Sequence, residues 1–262
     1  MDYFAGIDVG ALSTDAVILT AGSEVAAYSI VETGANSTDA AEEALAGVLA
    51  EAEIVRSQIK RIVATGYGRV SVPFADKRVT EISCHALGAY HLFPDTGTVI
   101  DIGGQDSKVI QVGEGGKVLN FTMNDKCAAG TGRFLEVMAN KLQVALDEMG
   151  ELSLRAGREV PISSVCTVFA ESEVVSLVAQ NHPTEEIIRG LHRSIVNRVW
   201  NMVKAVGVNG GVAMTGGVAK NRGVVALMEE KLGQSVHLHE EPQVVGALGA
   251  ALLAWRASQS AG

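Results

Sequence analysis

A strand that ends at an aspartate, turns through glycine and returns as a second strand occurs twice in this chain. The first copy spans residues 7–19 and the second spans residues 100–112. In each copy an apolar run ends in Asp-x-Gly, at Asp8 and at Asp101. Glycine lets backbone N–H groups approach phosphate oxygens, and an adjacent carboxylate can hold Mg²⁺ directly or through water. Two such hairpins can clamp a phosphate chain.

A third glycine turn, Gly216-Gly217, follows an apolar strand far downstream and can lie flat against an adenosine. Each turn alone is equally consistent with an ordinary tight turn. All three in this order match the superfamily of actin, sugar kinases and Hsp70 ATPases. A P-loop is absent, and no dinucleotide-binding G-x-G-x-x-G follows a strand. ATP is therefore favoured over NAD.

The pattern of apolar residues predicts the elements between these turns. The first hairpin is expected to turn at Ser13-Thr14-Asp15, and a helix capped by Ser37 or Thr38 is expected to end at residue 52. Later helices are predicted over 131–142 and 169–179. A long one is predicted over 184–206, and a small-residue helix closes the chain.

Composition limits the classes of function. The chain is 47% hydrophobic with a mean hydropathy of +0.22, which allows a sizeable buried core. A net charge of -9 and only 5% aromatic residues argue against a nucleic-acid partner. The chain shows no signal peptide and no apolar run of about 18 residues. We therefore expect a cytoplasmic protein with no membrane partner.

The three cysteines are too few for a secreted disulfide scaffold. Cys127 and Cys166 each precede a predicted helix start, where unpaired N–H groups and the helix dipole stabilise a thiolate or an anionic cluster. Two thiolates cannot complete a four-cysteine iron–sulfur site, but a two-fold axis would supply four. Ordinary buried thiols or a zinc site built the same way remain alternatives. Cys84-His85 is expected to be a buried structural pair.

Seven stretches that span nearly the whole chain carry a more specific resemblance. They are residues 6–10, 81–85, 99–106, 124–136, 166–174, 214–218 and 246–251. Together they resemble the activators (component A) of 2-hydroxyacyl-CoA dehydratases, within the BadF/BadG/BcrA/BcrD ATPase family. That family includes ATP-binding subunits of benzoyl-CoA reductases. The stretches around Cys127 and Cys166 are specific to this group, whereas the glycine turns belong to the whole superfamily.

The resemblance implies an α/β protein with the actin-like ATPase fold (ribonuclease H-like motif), in which two similar subdomains hold the nucleotide in their cleft. The first subdomain is expected at residues 1–97, joined by a closing helix at 246–262. The second is expected at residues 98–245 and carries the cluster-binding helices.

The implied function is ATP-dependent donation of one electron to an acyl-CoA dehydratase or reductase component. One [4Fe–4S] cluster would bridge a homodimer, or a pair with a paralogous subunit, through Cys127 and Cys166. Reduced ferredoxin or flavodoxin would supply the electron, and ATP with Mg²⁺ would change the angle between the cluster-bearing helices. The alternatives are an ATP-binding subunit of a benzoyl-CoA reductase-type complex, a small-molecule kinase of the same fold, and a non-catalytic ATP-binding subunit.

The resemblance also assigns the site. Asp8, Asp101 and Gln105 are the predicted catalytic residues, the two aspartates through Mg²⁺. The predicted nucleotide-binding residues are Gly10, Ala11, Leu12, Ser13, Thr14, Asp15, Gly103, Gly104, Gln105, Asp106, Gly216, Gly217 and Gln243. The last three are expected at the nucleoside end. Because an amide can orient water but cannot deprotonate it, Gln105 predicts slow hydrolysis.

Asp15 departs from the family pattern, in which a lysine usually closes the first phosphate turn. A carboxylate beside a triphosphate is unfavourable unless it points away or lies near Mg²⁺. A solvent-facing Asp15 is the equally weighted alternative. The change predicts weakened hydrolysis, or a heterodimer in which a paralogue carries the intact ATP site.

Overall fold

The structure is a computed structural model that describes residues 2–163 and 166–259. Its first sheet has the strand order β3-β2-β1-β4-β5. These strands are β1 Tyr3–Val9, β2 Ser13–Thr20, β3 Val25–Glu32, β4 Ile59–Thr65 and β5 Lys77–Arg78. Strand β1 is central and apolar, pairing antiparallel with β2 and parallel with β4.

The second sheet repeats the same start, a strand and its antiparallel return, in the order β8-β7-β6-β9. Its strands are β6 Thr96–Ile102, β7 Ser107–Gly113, β8 Lys117–Asn124 and β9 Gly211–Thr215. Strand β6 is buried along its whole length, and it pairs antiparallel with β7 and parallel with β9. The central strands β1 and β6 therefore have equivalent places in their sheets.

The described residues also form eight α-helices. They are α1 Ser37–Glu51, α2 Glu81–Leu92, α3 Gly132–Leu142, α4 Met149–Arg155, α5 Thr167–Ala179, α6 Thr184–Val206, α7 Arg222–Leu232 and α8 Val245–Gln259. Helix α6 buries a regular apolar face against the second sheet's core, as its helical spacing of Ile, Leu and Val predicts. None of the helices in this part of the chain has both the length and the apolar content to cross a bilayer.

Helix α8 returns to the first sheet and packs on it through small residues. Gly6 of β1 faces the carbonyl of Ala247, and Gly249 lies against the carbonyl of Cys84 in α2. A side chain at either glycine would collide with backbone, so these positions accept only glycine. This contact brings the end of the chain beside its beginning. Of the predicted closing helix, residues 260–262 lie outside the described residues.

Two local predictions are wrong. The first hairpin turns at residues 10–12, and Ser13, Thr14 and Asp15 belong to β2, because β1 and β2 pair from Val9↔Thr14 onward. The cap of α1 is Asn36, whose side chain accepts bonds from the amides of residues 38 and 39. Helix α4, which was not predicted, fills the segment between α3 and α5. The remaining predicted strands and helices are confirmed within a few residues at their ends.

Candidate nucleotide cleft and cysteine-bearing helices

The two hairpins have the same backbone turn. The amide of Gly10 donates to the carbonyl of Ser13 at 2.9 Å, and the amide of Gly103 donates to that of Asp106 at 2.9 Å. The turns also touch, because a Cβ placed on Gly104 would lie 2.6 Å from Cγ of Leu12. The internal repeat is confirmed as a repeat of geometry, and the two turns lie in contact with each other.

The second hairpin contains a buried ion-pair network that sequence analysis missed. Nζ of Lys108 lies 3.2 Å from Oδ2 of Asp101 and 2.7 Å from Oδ1 of Asp106. Burial disfavours the ammonium, but the two carboxylates raise the pKa of Lys108 above its usual value. Burial likewise opposes ionisation of Asp101, yet His85 and Lys108 hold its pKa below the usual range. The pair is therefore ionised.

His85 of α2 links the two hairpins. Its Nε2 lies 3.7 Å from Oδ2 of Asp8, and its Nδ1 lies 3.5 Å from Oδ1 of Asp101. The hydroxyl of Thr215, at the end of β9, lies 3.1 Å from the same Nδ1 and donates to Asp101 at 2.9 Å. His85 is buried as predicted, but it lies between the strand-end aspartates of the two hairpins, a position the sequence did not indicate.

The first hairpin has carboxylates where the second has an ion pair. Asp8 and Asp15 are 7% and 4% exposed, so the solvent-facing alternative for Asp15 is wrong. Burial raises the pKa of Asp8 to about 6, although His85 and Lys108 counteract it. Burial, reinforced by the charge of Asp8, raises the pKa of Asp15 to about 8.

Gln243 lies beside this hairpin. Its Nε2 donates to Oγ of Ser13 at 2.6 Å and to Oδ1 of Asp15 at 3.3 Å. A Cβ on Gly217 would lie 3.6 Å from Oε1, the side-chain amide oxygen of Gln243. Gln243 therefore joins the third turn to the first hairpin and is not confined to a nucleoside end.

The other predicted residues of the first turn differ in what they can offer. Ala11 and Leu12 are half-buried in the turn itself. Thr14 is fully buried, and its hydroxyl lies 2.9 Å from that of Thr33. Because neighbouring residues of a strand face opposite sides, Thr14 points away from the side shared by Ser13 and Asp15. This corrects the expectation that the Thr14 hydroxyl faces a phosphate.

The third turn packs against the strand-end aspartate of the second hairpin. Gly216 has a φ of 84°, and a Cβ there would lie 2.8 Å from Oδ1 of Asp101. Its amide donates to the carbonyl of Pro242 at 3.0 Å. Both the positive φ and this close approach require glycine. The second and third glycine turns thus meet at Asp101, and Leu12 of the first turn touches Gly104 of the second.

The second turn is bonded directly to helix α3. The amide of Gly132 donates to the carbonyl of Gly103 at 2.9 Å, and the amide of Arg133 donates to that of Gly104 at 2.8 Å. These are first-turn N–H groups, which have no partner inside their own helix. Gln105, the next residue of the turn, is exposed. A shift of this turn would therefore move the start of α3.

The two candidate cluster ligands precede helices. Cys127 lies in the loop before α3 and is half-buried, and its carbonyl accepts a bond from the Asn124 side chain at 2.9 Å. Cys166 is the N-cap residue of α5 and is exposed. An ion pair of 2.8 Å between Lys141 and Glu171 ties α3 to α5.

Cys84 has a different environment. It is fully buried in the core beneath α8, and burial raises the pKa of its thiol to about 12. A thiol with such a pKa stays protonated, whereas iron and zinc take thiolates. The structural role predicted for Cys84 agrees with this environment. Within residues 2–163 and 166–259, no three His, Cys, Asp or Glu side chains form a metal-binding group.

Comparison with known proteins agrees with this geometry. The model of the BadF/BadG/BcrA/BcrD ATPase family matches residues 5–254. The chain belongs to this family. It is 48% identical over 257 residues to the activator of lactoyl-CoA dehydratase from Anaerotignum propionicum, covering 98% of this chain and 99% of that protein. The resemblance deduced from the motifs is confirmed.

Two solved structures of the family superpose on the chain. Component A of (R)-2-hydroxyglutaryl-CoA dehydratase from Acidaminococcus fermentans has a TM-score of 0.95 at 46% identity, covering 99% of this chain and 100% of that one. The activator of the 2-hydroxyisocaproyl-CoA dehydratase from Clostridium difficile, with bound ADPNP, has a TM-score of 0.95 at 44% identity, covering 99% and 96%.

A more distant likeness concerns the fold alone. A ROK family glucokinase from Streptomyces griseus has a TM-score of 0.59 at 14% identity, covering 97% of this chain and 99% of that one. The two-sheet architecture shared with a sugar kinase confirms the predicted actin-like α/β fold.

Proposed function

We propose that this chain is an ATP-dependent one-electron donor that activates a 2-hydroxyacyl-CoA dehydratase. Two copies would share one [4Fe–4S] cluster through Cys127 and Cys166, with reduced ferredoxin or flavodoxin as the electron source. The relatives named as dehydratase activators support the partner class, and the relative with bound ADPNP supports ATP as the nucleotide.

The observation that carries this proposal is the backbone link between the second phosphate turn and α3. Carbonyls of Gly103 and Gly104 accept bonds from the first amides of α3, and Cys127 lies just before that helix. A nucleotide that displaces the turn would therefore displace the loop that carries Cys127. ATP hydrolysis and electron donation would be coupled through this contact.

The residues present fit the two groups that the proposal requires. Asp8 is a buried carboxylate, the kind of oxygen ligand that Mg²⁺ prefers, and Asp101, already paired with Lys108, would hold the ion through water. Cys166 caps α5, where the helix dipole favours an anionic ligand. When bound, an iron–sulfur cluster would supply the one-electron redox step, while this chain holds it and varies its surroundings.

The surface of α5 fits a symmetric partner. Val168 and Phe169 are 67% and 69% exposed, and Val175 and Val178 are each 48% exposed. The valines share one side of the helix by their spacing. Exposed apolar residues beside a half-complete thiolate site are suited to contact with a second copy, which would bury them and add the missing pair of cysteines.

Anaerobic purification of three single variants tests the proposal. The wild type is expected to be brown, to contain about four iron atoms per dimer, and to bleach in air. Cys127→Ser and Cys166→Ser are expected to lose the iron. Cys84→Ala is the matched control, because Cys84 is buried away from the other two cysteines, and it should keep the iron.

The other candidate functions give different outcomes. Iron retained in both serine variants would exclude the shared-cysteine site. A colourless wild type that phosphorylates a small molecule would replace the proposal with a kinase of this fold. Iron without ATP hydrolysis would favour a non-catalytic subunit, and copurification of a benzoyl-CoA reductase-type complex would change the partner.

A further inference from the structure

The first hairpin carries two carboxylates that face each other. Asp8 of β1 pairs directly with Asp15 of β2. Directly opposed residues of antiparallel strands project from the same face of the sheet, with Cβ atoms about 5 Å apart. Like charges in this arrangement destabilise the pair, and burial strengthens the repulsion by removing water.

The second hairpin shows what normally balances such a carboxylate. Asp101 of β6 pairs directly with Lys108 of β7, in the register that joins Asp8 to Asp15. The Lys108 ammonium lies 3.2 Å from the Asp101 carboxylate. The two hairpins therefore have one backbone plan, and only the second brings its own cation to that position.

In the described chain, Asp8 and Asp15 lack the cationic side chain that neutralises Asp101 in the second hairpin. In the described chain, neither Asp8 nor Asp15 forms an ion pair with lysine or arginine, and the nearest basic group is His85, 3.7 Å from Asp8. Within the described residues, the Asp8 carboxylate accepts no hydrogen bond, although only 7% of the residue is exposed to solvent. Among the residues that the structure describes, Asp15 accepts hydrogen bonds only from the neutral groups of Ser13 and Gln243.

We propose that Asp8 and Asp15 together bind a divalent cation, which takes the place at the first hairpin that the Lys108 ammonium takes at the second. The inference deepens the proposed ATPase function. A hard divalent cation such as Mg²⁺ is typically held by one or two carboxylates, with water and phosphate oxygens completing its shell. In this arrangement Asp15 is a ligand of the cation that ATP needs, and its carboxylate does not oppose ATP binding.

The site predicts cation binding before nucleotide arrives. Mn²⁺, which has the same ligand preference as Mg²⁺ and gives an electron paramagnetic resonance signal, is the probe. Chelator-treated protein, free of nucleotide and iron, is titrated with Mn²⁺ while the free-ion signal and the melting temperature are recorded. The wild type is expected to bind one Mn²⁺ per chain and to melt at a higher temperature with Mn²⁺ present.

Three variants locate the site. Asp15→Asn, nearly identical in shape, is expected to weaken Mn²⁺ binding at least about tenfold, and Asp15→Lys to abolish it. Asp147→Asn, at an exposed carboxylate in the loop after α3, should bind like the wild type. If one Asp15 variant fails to fold, the other supplies the comparison, and each melting curve reports folding directly.

Several results would overturn the inference. They are a wild type that binds no Mn²⁺ without nucleotide, and an Asp15→Asn variant that binds it as tightly as the wild type. If the wild type bound no Mn²⁺ and its ATP affinity fell as pH rose through 8, a proton shared by Asp8 and Asp15 would take the place of the proposed cation. Because neither iron content nor hydrolysis enters this titration, its failure would leave the electron-donor proposal standing.

Discussion

The first and second glycine-turn hairpins follow one backbone design and differ in charge. In each turn a glycine amide donates a hydrogen bond of 2.9 Å to a backbone carbonyl. The acceptor is Ser13, which begins β2, in the first turn and Asp106, which directly precedes β7, in the second. Both place a second ionisable residue opposite the strand-end aspartate, which is Asp15 in one and Lys108 in the other. The end of β1 therefore has two opposed carboxyl groups, and the end of β6 has a neutralised pair.

The shape of a glycine turn and its affinity for a ligand therefore have different causes. The glycines and the strand register determine the path of the chain, and they are unaffected by the charge opposite the aspartate. The charge determines what must be present for the site to be occupied. Each hairpin can therefore be altered without loss of its shape, and the following substitutions use that independence.

Lys108→Met should have the largest effect. It leaves Asp101 buried beside Asp106 without its ammonium, and loss of one partner of a buried pair typically costs about 3–5 kcal/mol. The free energy of unfolding, measured by urea denaturation, should fall by that amount. Lys117→Met, at an exposed lysine in β8, should change it by less than about 0.5 kcal/mol. Equal effects of the two variants would mean that the second hairpin gains nothing from its ion pair.

The pH dependence of the nucleotide-free, chelated protein should show the intermediate effect. Burial raises the pKa of Asp15 from 3.8 to about 8, so the folded state keeps a proton that the unfolded chain has released. The free energy of unfolding should therefore fall as pH rises towards 8, by about 1.4 kcal/mol per pH unit.

The window from pH 6.5 to 8 reports mainly on this group, because Asp8, with a pKa of about 6, titrates mainly below it, and buried His192, whose pKa burial lowers to about 3, adds an opposite slope only near its lower end. The total change across the window is about 2 kcal/mol. Asp15→Asn should remove the slope, and millimolar Mn²⁺ should flatten it in the wild type because cation and proton compete for the same pair. A slope that survives in Asp15→Asn would assign it to another group.

Gln243→Ala should have the smallest effect. It removes the amide that donates to Ser13 and Asp15, and one hydrogen bond contributes about 1 kcal/mol net. Unfolding in urea should show a loss of that size, whereas Gln234→Ala, at an exposed loop position, should be neutral. A neutral Gln243→Ala would show that the first hairpin keeps its position without the third turn.

The sequence predicted most of the fold because its signals were local and strong. Apolar strands entering glycine turns and the long amphipathic pattern of α6 leave few alternatives. The short helix α4 has no such pattern, since its seven residues mix charged and apolar types. The position of the first turn depended on strand register, which pairing fixes and local composition does not.

The turns themselves supply candidate site residues such as Asp8 and Asp101, whose roles stay predictions. His85 and Lys108 were missed because tertiary structure brings them in, one from α2 and one from a return strand. A signal for Lys108 did exist. It follows Asp101 at the spacing at which Asp15 follows Asp8. An internal alignment of the two hairpins would have shown both the missing lysine and its replacement.

The contact between the second turn and α3 consists of peptide groups alone. No alanine substitution can delete an amide or a carbonyl, so alanine scanning would disturb this junction only through added methyl groups, as at Gly104, and would leave its hydrogen-bonding groups in place. Only a change to the main chain, such as proline at residue 133 or an ester in place of that peptide bond, would interrupt it.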